Sequence, residues 1–217
     1  MKTNRTVTSF FDKEYLEYAR YVVENRAIPS CIDGLKPTQR KVVYIANKIW
    51  KTGNEKPMKL FQLAGRVAAE AFYHHGNTSL ESSMVGMAQK FKNSLPLLQG
   101  VGQFGSLRSP AAGAPRYISA KLHPNFRLLY QDFDLLENKI EEGEKIEPAF
   151  FLPIVPTVIL NGTSGIAVGF ATNILNRNPK DVVDACISTL NDKRMKVLAP
   201  WIEEFNGTFT RDLENPK

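Results

Sequence analysis

Apolar residues recur at a helical period through the first 91 residues, and the pattern then stops at a run of glycines and prolines. That single change of texture limits the fold more than any other feature. Phe11, Tyr15, Tyr18, Ala19, Val22 and Val23 place an amphipathic helix over Phe10–Asn25, with Ser9 as its cap and Asp12 in its first turn. Pro29, Gly34 and Pro37 make Ala27–Pro37 a loop. The spacing then predicts helices over Thr38–Lys51, Met58–Phe72 and Thr78–Phe91, separated by short turns at Thr52–Glu55 and Tyr73–Asn77. Helix, tight turn, helix is the layout of a helix-turn-helix module.

Past Pro96 the pattern is irregular. Gly100, Gly102, Gly105, Pro110, Ala111–Ala114 and Pro115 form a long loop or hairpin, and a long irregular stretch inside a compact domain is usually functional. Further on, the pattern predicts a helix at Asn125–Leu136, an acidic connection over Glu137–Pro148 and a strand-like run at Phe151–Leu160. A Gly-rich turn follows at Asn161–Gly169, then a helix at Pro179–Asn191 and the start of a strand at Gly207–Thr210. The chain stops there, as if cut inside a domain. It contains no internal repeat.

Charge is segregated along the chain. Residues 1–66 carry 13 Lys/Arg against 6 Asp/Glu, residues 67–130 carry 6 against 2, and residues 131–217 carry 9 against 14. A basic first part points to a polyanionic partner. No apolar run spans a bilayer, and Met1–Ser9 lacks the apolar core of a secretion signal. Two distant cysteines, Cys31 and Cys186, fit buried thiols in a reducing compartment rather than a disulfide framework. The adjacent His74 and His75 lack the spacing of a helical metal pair, so no metal site is expected.

Chemistry concentrates in Gly102–Lys121, where Tyr117 directly follows Arg116 behind a loop of small residues. A phenol with a pKa near 10 is a weak nucleophile at neutral pH. To attack phosphorus it needs positive charge beside it, which Arg116 can supply. On its own, an Arg-Tyr pair is more often core than catalyst.

Further strings change that balance: ENRAIP (Glu24–Pro29), DGLKPTQRKVVY (Asp33–Tyr44), YHHG (Tyr73–Gly76), GQFGS (Gly102–Ser106), PRYI (Pro115–Ile118) and NGTSGIAVGFATNI (Asn161–Ile174). In their order and spacing they resemble the breakage-reunion part of type IIA DNA topoisomerases, over about residues 10–210. YHHG and PRYI are similar to the eukaryotic and T-even-like phage versions, and a chain starting just before the arm helix resembles the medium subunit of such phages.

The resemblance implies an α+β fold. A helical arm (residues 1–24) leads into a winged-helix domain of the catabolite-activator type (25–155), followed by the start of a tower domain (156–217). It implies that Tyr117 attacks the DNA backbone and becomes joined to a 5′ phosphate, assisted by Arg116. Arg26 would lie near the scissile phosphate. His75 would share a proton or hydrogen bond near the reacting oxygen, unless it only bonds the helix start. Lys36, Arg40, Lys41 and Lys121 would face DNA, Thr78 and Ser82 would lie on the helix against it, and Ile166 would wedge between bases.

It further implies an ATP-dependent double-strand passage in a homodimer on double-stranded DNA, in the cytoplasm of a bacterium or phage-infected host. Mg²⁺ would be held mainly by a partner's metal-binding domain, and ATP would be used by that same partner. The chain alone would then cut poorly. Two readings compete with this one: a non-catalytic winged-helix DNA-binding module, and an interaction module docking a partner through the arm.

Overall fold

The computed structural model describes residues 6–52, 56–194 and 197–210. Residues 7–27 form one helical run, α-helical at α1 (Val7–Phe10) and α2 (Leu16–Val22), with π-turns at Phe11–Tyr15 and Val23–Ala27. Thr6 caps it rather than Ser9: the Thr6 hydroxyl accepts the Ser9 amide at 3.2 Å. The run starts three residues earlier than the apolar period indicates, so Ser9 already lies inside it.

Next come α3 (Pro37–Ile49), β1 (Met58–Lys59), α4 (Leu60–Glu70) and α5 (Asn77–Ala88), then β2 (Leu98–Val101) and β3 (Ser119–Leu122). Pro37 opens α3 at the position where a missing N–H costs nothing. Gln39 reaches back to accept the Lys36 amide at 2.9 Å. The three strands form an antiparallel sheet in the order β1-β3-β2. Met58 pairs with Ala120, and Leu98 with Leu122. Helix, strand, helix, helix and two strands, with the last strand central, is the element order of a winged helix, and residues 102–118 are its wing.

Val42, Val43, Ile45 and Ala46 of α3 pack with Leu60, Leu63, Ala64 and Val67 of α4, Leu80 and Met84 of α5, and Leu98 and Ala120 of the sheet, all fully buried. Each fully buried aliphatic side chain contributes roughly 1.5–3 kcal/mol of transfer free energy, so this face of α3 holds the domain together.

Beyond the sheet are α6 (Pro124–Leu129), a 3-10 turn (Phe133–Leu135) and the antiparallel hairpin β4 (Asn138–Glu141) and β5 (Glu144–Pro148). The helix expected over Asn125–Leu136 therefore breaks after Leu129. Phe126, Tyr130, Phe133 and Phe151 stack there, with ring centroids 5.2–5.8 Å apart. The expected acidic connection is this hairpin. Its turn, Glu142–Gly143, has positive φ at both residues, 51° and 84°, the geometry that matches the twist of paired strands.

The run at Phe151–Leu160 is not a strand. Pro153 and Pro156 remove two ladder donors, and only α7 (Thr157–Leu160) is regular. Within Asn161–Gly169, expected as a turn, lies β6 (Thr163–Ile166), which pairs with β7 (Ala171–Ile174) around Val168–Gly169. Then α8 (Pro179–Leu190) begins on Asn178, whose side chain accepts the Lys180 amide at 2.9 Å. No strand forms at 207–210. Cys31 is exposed and Cys186 half-buried, both free, which corrects the expectation of buried thiols. The core is continuous from Leu35 to Val182.

Asp33, fully buried, ties these parts together. Its carboxylate accepts from Arg40 Nε at 2.7 Å, Arg40 Nη2 at 3.1 Å, the Leu35 amide at 2.9 Å and the Phe151 amide at 3.0 Å. Its carbonyl oxygen accepts from the Tyr130 hydroxyl at 3.0 Å and the Thr157 hydroxyl at 2.7 Å. Burial pushes the Tyr130 phenol well above its ordinary value, so it stays a donor.

Candidate functional site

The wing is pinned at both ends. Gln89, buried just past α5, donates its amide to Phe104 O at 2.8 Å and Pro110 O at 2.9 Å. The Gly113 amide bonds Gln103 O at 2.9 Å, and the Tyr117 amide bonds Ala114 O at 2.8 Å. Lys59 in β1 donates to Tyr117 O at 2.9 Å, and the Leu60 amide bonds Ile118 O at 3.1 Å. Ile118 is buried. With the backbone held on either side, the Tyr117 side chain is turned outward and 68% exposed. The Arg116 guanidinium lies over its ring, 4.8 Å from the centroid. A fixed cation thus sits against an accessible phenol on a rigid loop.

A groove of about 1070 Å³ opens beside α5 and is lined by Arg26, Lys36, Lys41, His75 and Ser82 among others. Tyr117 and Arg116 are not among its lining residues. Arg26 is exposed in the last π-turn of the arm. His75 is exposed beside Tyr21, Nε2 to hydroxyl 3.2 Å, and meets the Tyr73 ring edge-on at 5.4 Å. It does not cap α5, whose N-cap is Gly76. Thr78 and Ser82 lie exposed on α5. Lys121 is on the outer side of β3, between buried Ala120 and Leu122. Ile166 ends β6 at 86% exposure.

Lys36 donates to Ser164 O at 2.7 Å, and burial lowers its pKa below the ordinary lysine value. The His123 pKa is lowered by burial first and by Lys90 and Lys121 after it.

Two expectations are corrected. Arg40 is 5% exposed and its guanidinium is taken by Asp33 and by Leu35 O at 3.1 Å, so it has no free face for a phosphate. Lys41, at the edge of the groove, gives its ammonium to Ala71 O at 2.5 Å, Glu147 at 3.2 Å and Glu141 at 3.4 Å. Its charge is neutralised inside the fold. Both residues sit on the inward side of α3, where a cation must be paired to be buried.

Sequence patterns missed Gln89, Lys59 and Tyr21. The first two act through backbone atoms brought close only by the sheet. The Tyr21–His75 pair is 54 residues apart in sequence.

Residues 26–215 match the family model that describes the A-type polypeptide of DNA gyrase and topoisomerase IV. The chain belongs to this topoisomerase family. It is 45% identical over 206 residues to the DNA topoisomerase medium subunit of Enterobacteria phage T4, covering 94% of this chain and 46% of that protein. It is 43% identical over 215 residues to the mitochondrial DNA topoisomerase 2 of Dictyostelium discoideum, covering 95% of this chain and 16% of that one. Its fold matches the crystal structure of the Plasmodium falciparum topoisomerase II DNA-binding, cleavage and re-ligation domain, with a TM-score of 0.83 and 37% identity over 95% of this chain and 28% of that chain. The topoisomerase chain thus spans less than half the length of these relatives.

No helix of the described residues is long and apolar enough to cross a membrane. Among the described residues no group of three or more His, Cys, Asp or Glu is placed to hold a metal ion. Glu141 and Glu147, the carboxylates lining the groove, are paired with Lys41 and Lys139. The residues of this topoisomerase chain do not by themselves fit a divalent metal.

Proposed function

We propose that this chain is the DNA cleavage and religation part of a type II topoisomerase, with Tyr117 as nucleophile. The observation that carries this is the exposed Tyr117 phenol under the Arg116 guanidinium, on a wing held by Gln89 and Lys59. The phenol oxygen attacks a backbone phosphorus and loses its proton to solvent. The bond from phosphorus to the 3′ oxygen breaks, and that oxygen takes up a proton. A 5′ phosphotyrosine link and a free 3′ hydroxyl result. One phosphodiester replaces another, so the step is reversible without ATP. Arg116 stabilises the charge that builds on the phosphoryl oxygens.

Arg26 and Lys36 hold phosphates in the groove, and His75 donates or shares a hydrogen bond there. Thr78 and Ser82 of α5 and Lys121 of β3 lie along the duplex, and Ile166 inserts between bases to bend it.

In this reading residues 1–24 are the arm, 25–155 the winged-helix domain and 156–217 the start of a tower. Two copies each cut one strand of double-stranded DNA, and a second duplex passes between them. A partner polypeptide in the same cytoplasm holds Mg²⁺, which supplies charge to the phosphoryl oxygens, and uses ATP.

The test is polarity. The chain is combined with its metal-binding and ATPase partner, given duplex labelled at one end or the other, and stopped with denaturant. Protein attached to the 5′ side of each break supports the reading. Attachment at 3′ ends, or DNA bound with no covalent product, favours a non-catalytic DNA-binding module.

A further inference from the structure

Gly165 is buried on a hairpin whose next residue, Ile166, is almost fully exposed. In a strand, successive side chains point to opposite faces. Whatever seats Gly165 therefore sets the direction in which Ile166 projects. A methyl group on Gly165 would be driven into the carbonyl oxygen of Ala27 and would lie 3.2 Å from both Ala27 C and Lys36 Nζ. Ala27 is the last residue of the arm's helical run and directly follows Arg26. One rung earlier, Ser164 O accepts the Lys36 ammonium at 2.7 Å. Lys36 immediately precedes α3 and lines the groove together with Arg26. Two consecutive residues of β6 are thus held by the two segments that carry groove cations.

We infer that Gly165 and Lys36 are positioning residues that lock the β6–β7 hairpin to the Arg26–Lys36 edge of the groove, so that gripping a phosphate and driving Ile166 into the duplex are one mechanical event. This rests on the reading of Ile166 as a wedge. The lock has two parts. The Gly165–Ala27 contact is backbone against backbone, so neither side can yield. The Lys36–Ser164 bond uses one of three ammonium protons and leaves the others for a phosphate in the groove. A phosphate drawn onto Lys36 pulls on the same side chain that holds Ser164, and hence on the base of the wedge.

The experiment uses the full chain and a duplex carrying a fluorescence-transfer pair at its ends, compared with a pre-bent duplex containing a short gap. Ile166→Ala, Gly165→Ala and Lys36→Met are each expected to lose most of the bend. Ile166→Ala and Gly165→Ala should bind the straight duplex roughly tenfold more weakly, the cost of bending unaided, and the gapped duplex within about twofold of wild type. The Gly165→Ala/Ile166→Ala double variant should bend no less than Ile166→Ala alone, because a mis-seated wedge has nothing further to lose. If Ile166→Ala lowers the bend while Gly165→Ala and Lys36→Met do not, the lock is refuted and the wedge stands. If Ile166→Ala bends DNA as wild type does, the wedge reading fails and takes the lock with it. Equal loss by Gly165→Ala on straight and gapped DNA marks general damage to the fold and also overturns the lock, as does a Lys36→Met variant that bends normally.

Discussion

Replacing Arg40 by Met separates two roles that one basic residue on α3 can have. The Arg40 guanidinium gives two hydrogen bonds to the Asp33 carboxylate and one to Leu35 O, and both side chains are essentially inaccessible. Methionine keeps most of the apolar stem but leaves Asp33 as a buried carboxylate with only the Leu35 and Phe151 amides as partners. Breaking a buried ion pair on one side costs about 3–5 kcal/mol. For a chain of this size, 1 kcal/mol moves the midpoint by about 2–4 °C, so Tm should fall by roughly 6–20 °C. Thermal unfolding followed by circular dichroism reads this directly. Duplex affinity of the folded protein, measured well below the new midpoint over a salt series, should keep its wild-type slope, since no phosphate contact is lost. Arg26→Gln should do the reverse, keeping Tm and reducing the salt slope by about one. An Arg40→Met protein with wild-type Tm and a shallower salt slope would refute the burial argument and return Arg40 to the DNA face.

Tyr117→Phe should abolish covalent complex formation while leaving stability within about 0.5 kcal/mol, because the side chain is exposed and its anchoring bonds are to backbone; denaturant titration checks the second half. Gln89→Ala should free the wing, removing bonds to Phe104 O and Pro110 O, and limited proteolysis should then cut within 102–118 faster than in wild type. His123 has its pKa lowered by burial and by Lys90 and Lys121, so the unfolded chain binds a proton more readily than the folded one. Stability from this group is present above the ordinary histidine pKa near 6.5 and is lost as pH falls from there through the folded-state value. His123→Asn, which keeps a capping side chain ahead of α6, should flatten that part of the stability–pH curve; an unchanged slope between about pH 5 and 6.5 would assign the dependence to another group.

The sequence is most legible where local pattern and tertiary demand agree. The period of α3, α4 and α5 reflects the face each one buries, so their bounds follow from it to within a few residues. Ile166 is the reverse case: composition alone places an isoleucine in the core, whereas the motif around it places it outside, and it is exposed. The pattern fails where a partner distant in the chain decides the outcome. Arg40 reads as one more cation on a basic helix until Asp33 is seen buried under Tyr130 and Thr157, 97 and 124 residues further on. Lys41 likewise depends on Glu147, 106 residues away. β1 has two residues, too few for any alternation to register, and it exists because β3 lies beside it. The β4–β5 hairpin is hidden by its charges, although Glu142–Gly143 is a turn signal in retrospect.

Mapping the covalent link tests the central proposal most directly. Cleavage by the assembled enzyme on phosphorus-labelled duplex is trapped with denaturant, the DNA is digested to its linking nucleotide, and the labelled peptide is sequenced. Label on Tyr117, in the peptide containing Arg116–Ile118, is the predicted result. Label on any other residue, or cleavage that leaves no protein-bound phosphate, would contradict it.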